Sequence, residues 1–227
     1  MKKQFFIFNI ILALLVLVGD AFYISYGHLW LKSITSAGFV LIGLINLVYA
    51  IISKKINLKY AIIMFIGLVF AMLGDILLEI NFMIGAILFA IGHIFFFISY
   101  CFIARFKWTD LIAGGIIFTV AVLVLTLVPL FNFDTMMLLL CIFYALIISL
   151  MLGKAISNVI RERNLLNILM LVGSGLFFFS DLMLVFNVFT DIPGIALGLL
   201  CLITYYPAEC ILAHTILQAD KKEKIEE

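Results

Sequence analysis

The sequence predicts an all-α integral membrane bundle of eight transmembrane helices, and its composition, the spacing of its apolar runs and the placement of its positive charges each point there. Of 227 residues, 67% are hydrophobic and 12% charged, against nearly half and about a quarter in an ordinary soluble domain. A chain so poor in charge cannot clothe a soluble domain larger than a loop, so its length counts helices rather than domains. A single transmembrane domain over residues 1–218 and a charged tail at 219–227 follow.

A helix needs about 20 apolar residues to cross a hydrocarbon core of ~30 Å. Runs of that length fall at Phe5–Ser25, Ser33–Ser53, Tyr60–Glu79, Met83–Ala104, Leu111–Phe131, Thr135–Gly153, Leu165–Asn187 and Gly194–Leu217. Short polar or turn-forming clusters separate them: "YGHLWLK", "KKINLK", "RFKWTD", "NFD", "KAISNVIRERN" and "TDIPG", with "INF" the weakest break. No stretch alternates polar and apolar residues over about ten positions, as the strands of a membrane barrel do.

With eight spans, 13 of the 14 Lys and Arg residues fall on one side and Lys32 alone on the other. The positive-inside rule then places both termini in the cytoplasm of a cell-membrane protein. The opening "MKKQFFIFNIILALLVLVGDA" has a basic start and ends in Gly19-Asp20-Ala21, as a cleaved signal might. Asp is a poor residue at such a site, however, and the apolar run continues through Tyr23 and Ile24, so this stretch is read as span one. A net charge of +1 offers nothing to nucleic acid. Cys101, Cys141, Cys201 and Cys210 lie in or at the ends of spans without a C-x-x-C pair and read as small apolar residues.

Against this background a few polar residues stand out. A charge at mid-bilayer costs at least ~2.5–3.5 kcal/mol, so each intramembrane acid needs a pocket, a partner or a proton. Asp75, in "FAMLGDILLEI", and Asp181, in "FFSDLML", belong together: each follows a small residue and lies about fifteen residues into its span. Spans three and seven run the same way, so the two carboxyls share a depth in the outer half of the membrane. They also occupy matching places in two four-helix halves, which suggests a parallel internal repeat. The plainer alternative makes both structural acids, hydrogen-bonded to a Tyr or Ser of a neighbouring helix.

Other polar residues divide more simply. Glu79 reads as a wet residue at a span end, and Asp20 as interfacial. Glu209 reads equally as a packing acid below the kink of Pro207 or as part of a site. His93, in "AIGHIFF", follows Asp75 by eighteen residues across one short turn, so spans three and four are antiparallel neighbours and a contact of His93 with Asp75 is expected, the plainer alternative being a hydrogen-bonded core histidine. His28 and His214 lie elsewhere, and three His so dispersed do not make a metal cluster. The Phe-rich stretches are packing and lipid-facing material.

The segment "FAMLGDILLEINFMIGAILFAIGHIFFFISY" resembles the L-G-D…G-H-x-x-(F/Y) segment of the YhhN-like lysoplasmalogenase membrane proteins. "FYALIISLMLGKA" is similar to that family's Y…M…A helix, "GSGLFFFSDLML" to its G…F-x-x-S-D segment, and "TYYPAECILAHTI" to its closing Y-Y-x-A-Q helix. Lys32 falls where the family carries a Lys, and Glu209 stands where its pattern has Gln. The resemblance implies an eight-helix enzyme that hydrolyses the vinyl-ether bond of a lysophospholipid in the bilayer, giving a fatty aldehyde and a glycerophospho-base.

That chemistry suits the residues. The slow step is protonation of the alkenyl carbon, which makes an oxocarbenium ion that water captures. It needs an acid still protonated near neutral pH and a second group to face the cation and deprotonate water, and two buried carboxyls can divide those roles. Glycosidases treat a related cation the same way. Asp75 and Asp181 are the expected acid and base, in either order. His93 or Tyr205 would orient the water or the glycerol hydroxyl, Tyr144 would line the site, and Lys32 would meet the lipid phosphate. No metal or organic cofactor is expected. The rival reading from another class is a transporter that binds a cation or carries protons on the same acids. Pro193 and Pro207, without counterparts in the first half, speak against it. A lipid-binding scaffold is third.

Overall fold

In the computed structural model, which describes residues 2–220, the chain forms eight helices and no strand beyond isolated bridges. These are α1 (Lys2–Tyr26), α2 (Leu29–Ser53), α3 (Leu58–Leu78), α4 (Phe82–Ile103), α5 (Asp110–Leu127), α6 (Thr135–Arg161), α7 (Leu165–Phe189) and α8 (Gly194–Gln218). Each is long and apolar enough to cross a membrane.

Local chemistry sets the ends. In hydrocarbon every backbone polar group must be satisfied within the protein, which favours helices closed by side-chain caps. Asn57, Asn81, Asp134 and Asn164 each accept a hydrogen bond from the amide three residues on, capping α3, α4, α6 and α7. Gly27, at φ +67°, turns α1 into α2 across a short link.

α1 and α2 begin before their predicted spans, at Lys2 rather than Phe5 and at Leu29 rather than Ser33, which puts Lys32 inside α2, and two further departures have a local cause. α5 stops at Leu127 rather than Phe131, because Val128 precedes Pro129 and takes the extended backbone (φ −81°, ψ 116°) that a following proline imposes. α6 runs on past Gly153 to Arg161, and its added turns carry a buried polar cluster instead of a solvated loop. Lys154 donates to Asp110 at 2.8 Å and Ser157 to Asp110 at 2.6 Å, and Arg161 also pairs with Asp110. Lys154 and Asp110 are both buried, so "RFKWTD" ends in a helix-to-helix clamp.

Helices α2, α3, α4, α6, α7 and α8 pack in a closed ring, each against the next, with α8 also reaching α3. α1 lies against α2 and α8, and α5 against α6. These two are peripheral: 17% of each span is buried, against 33–44% for the ring helices.

The crossing of α3 with α4 resembles that of α7 with α8. Gly67 of α3 lets Phe96 and the backbone of Gly92 approach, since a Cβ there would lie 2.5 Å from Phe96 and 3.2 Å from the Gly92 oxygen. Gly173 of α7 does the same for Leu212 and Ala208, at 2.7 and 3.4 Å. Each glycine stands eight residues before an intramembrane aspartate, Asp75 or Asp181. In this register His93 of α4 corresponds to Glu209 of α8. Small residues at such crossings let helices meet by close packing where no hydrophobic drive joins them.

Both described ends lie together. Lys2 pairs with Asp220 at 2.8 Å, and the Asn57 amide donates to the Ala219 carbonyl at 2.7 Å. Of the charged tail expected at 219–227, Ala219 and Asp220 are thus docked on the bundle, and the rest lies outside the described residues.

Candidate active site

Asp75 and Asp181 come together around one cavity of about 180 Å³, enclosed by the ends of α1, α2, α3, α4, α7 and α8 away from the chain termini. Its wall includes Tyr23, Lys32, Asp75, Glu79, Asp181 and Tyr205. Asp75 is 4% exposed and Asp181 9%, so both acids are buried yet border an internal space.

Asp75 is held on every side. Its Oδ2 accepts from Ser36 Oγ at 2.5 Å and from the Tyr206 hydroxyl at 3.0 Å, and its Oδ1 lies 3.2 Å from Lys32 Nζ. Ser36 stands one helical turn beyond Lys32, which puts both donors on the same face of α2. The Lys32 ammonium also donates to Glu79 Oε1 at 2.7 Å, and the Tyr23 hydroxyl donates to the same oxygen at 2.7 Å.

Asp181 is held differently. Its Oδ2 accepts from the Tyr144 hydroxyl at 2.6 Å, and Tyr144 in turn meets His93 Nε2 at 2.8 Å. Because Tyr144 donates its one proton to Asp181, His93 Nε2 is the donor to the Tyr144 oxygen, and His93 Nδ1 is buried without a partner among the described residues. No hydrogen bond ties down Asp181 Oδ1 among those residues. A second, apolar cavity of about 70 Å³ runs between α4, α5, α6 and α7, and Leu78, Phe89, Asp181 and Leu184 belong to both walls. Asp181 therefore borders both the chamber that holds the charged side chains and the apolar cavity, a channel between helices.

Lys32 lines the chamber, but it is buried and engaged by Asp75 and Glu79. Tyr205 forms part of the wall with its ring edge-on to Phe39, Phe89 and Phe177, and its hydroxyl reaches only the Ala71 carbonyl at 3.5 Å. Glu209 is 0% exposed, lines neither cavity, and has no partner for either carboxyl oxygen among the described residues. Asp20, expected at the interface, is buried within the bundle, because Gly19 draws α1 against Thr35 of α2 and carries the neighbouring carboxyl inward. Glu79 is no idle wet residue either. Burial raises its carboxyl, but the hydrogen bonds and charge of Lys32 and the Tyr23 hydroxyl outweigh that and hold it below the ordinary glutamate range.

Among the described residues no three His, Cys, Asp or Glu side chains gather where a metal ion could be held, and the four cysteines are free. Eight helices long and apolar enough to cross a membrane, six of them around a chamber bordered by two buried carboxyls, define a multi-pass membrane protein with a buried acid pair. The chain belongs to the YhhN family, the lysoplasmalogenase family, whose model matches residues 31–216. That stretch holds every residue around the chamber named above except Tyr23. No curated protein and no solved structure matches the chain.

Proposed function

We propose that the chain is a lysoplasmalogenase that cleaves the vinyl-ether bond of a single-chain phospholipid, with Asp181 as proton donor and Asp75 as the carboxylate facing the cation. Family membership supports the class of reaction. The observation that carries the assignment is the position of Asp181 on the walls of both cavities. In a lysoplasmalogen the vinyl ether is where the apolar chain meets the glycerol, so a chain in the channel and a glycerol in the chamber bring that bond to Asp181.

The arrangement divides the labour. Asp75, beside the Lys32 ammonium and two hydroxyl donors, has its negative charge compensated, which suits a group that works as a carboxylate. Asp181 has one oxygen held by Tyr144 and the other free for a substrate. Its proton passes to the second carbon of the alkenyl chain, and the double-bond electrons form the new C–H bond while oxygen stabilises the cation at the first carbon. Asp75 faces that cation and takes a proton from the water that adds to it. The hemiacetal then collapses: the C–O bond to glycerol breaks, the hydroxyl proton moves to the glycerol oxygen, and the aldehyde leaves. The proton held by Asp75 returns through the chamber to Asp181.

Reaction in deuterated water tests this sequence. Carbon protonation places one deuterium on the second carbon of the trapped aldehyde, read by mass spectrometry; an aldehyde without it would rule the mechanism out.

A further inference from the structure

The acid and base leave one part of the chamber unused. Lys32 and Glu79 form an ion pair at 2.7 Å, the Tyr23 hydroxyl donates to the same Glu79 oxygen, and Lys32 Nζ lies 5.3 Å from the centre of the Tyr23 ring. The pair is lopsided: the Lys32 side chain is 4% exposed and that of Glu79 43%. Lys32 is the chamber's inner cation and Glu79 its outer anion.

The charges on the wall constrain what can enter. Three carboxyls, Asp75, Glu79 and Asp181, line the chamber, and Lys32 is the one Lys or Arg among its lining residues. His93, 3.5 Å from Asp181, adds a positive charge only when protonated. A ligand bringing a bare negative charge would have to take Lys32 from Glu79 and leave that carboxylate unpaired in a half-buried place.

Resting on the lysolipid reading, we propose that Lys32, Glu79 and Tyr23 are a clamp for a zwitterionic head group. On binding, the ion pair opens, the phosphate diester takes the ammonium of Lys32, and the head-group ammonium takes Glu79 with the Tyr23 ring beside it. One ion pair is broken and two are made, with no change in total charge. Lys32 stays beside Asp75 throughout. A head group with a phosphate but no ammonium breaks the same pair and makes only one. Glu79 thus selects zwitterionic over anionic lysolipids and acts as a specificity residue without touching the bond that is cleaved.

The test compares two saturated, non-cleavable 1-alkyl lysolipids, one with a phosphoethanolamine and one with a phosphoglycerol head group, by equilibrium binding to the full chain in detergent. The clamp predicts at least tenfold tighter binding of the zwitterion by wild type, a ratio near one in Glu79→Gln, and recovery in Glu79→Asp. Tyr23→Phe, which keeps the ring, retains most of the preference. Equal ratios in wild type and Glu79→Gln, or a wild-type preference for the anionic lipid, would overturn the clamp. Because binding needs no turnover, the result stands apart from the reaction: selective binding without aldehyde release from the vinyl-ether lipid would retire the hydrolase reading and keep the clamp.

Discussion

Tyr144 joins His93 to Asp181 through a single hydroxyl, 2.8 Å from one and 2.6 Å from the other. A hydrogen bond to a charged group is worth about 1.5–3 kcal/mol, or roughly 10–100-fold in rate if it is made in the transition state. Tyr144→Phe keeps the ring that packs edge-on to His93 and removes only that link. The expected result is a kcat lowered about 10–100-fold on a lysoplasmalogen. An unchanged kcat with a lowered melting temperature would make the hydroxyl purely structural.

The channel predicts a chain-length effect. Ala121 of peripheral α5 forms part of the apolar wall beside Cys141 and Val185. Ala121→Phe fills space there, so kcat/KM for a long alkenyl chain should fall well below that for a short one, while wild type favours the long chain. A loss equal for both lengths would place the chain elsewhere.

At the other end of the bundle, Asp110→Asn leaves Lys154 buried with its charge uncompensated. Removing one partner of a buried ion pair costs about 3–5 kcal/mol, so the melting temperature should drop sharply. The cluster lies at the end of α5 and α6 away from the chamber, and activity per folded molecule at low temperature should match wild type.

The fold was legible because a bilayer imposes one length and one polarity on every helix. The eight spans follow from length and polarity, and Asp75 and Asp181 have matching places in their helices. That both border one chamber does not follow, and His93, expected beside Asp75, instead meets Tyr144 and lies 3.5 Å from Asp181. Helix ends set by local chemistry were less visible: the residue before Pro129 shortens α5, and the buried Asp110–Lys154 pair lengthens α6. Contacts between distant helices were not legible. Ser36 stands one turn from Lys32, a spacing that puts it on the same helix face, but nothing local places Tyr23 of α1 on Glu79, or Tyr206 rather than Tyr205 on Asp75. Glu209 drew notice as an intramembrane acid, and the structure seals it from both cavities, in the α8 position that His93 holds in α4.

The most direct measurement is aldehyde release from a lysoplasmalogen by the purified protein in detergent, beside Asp75→Asn and Asp181→Asn. Each variant keeps nearly the same shape and loses the ability to exchange the proton. Wild type should release aldehyde, and each variant should fall by about 10²–10⁴-fold with folding intact. A folded variant that releases aldehyde at the wild-type rate would contradict the assignment of the two carboxyls.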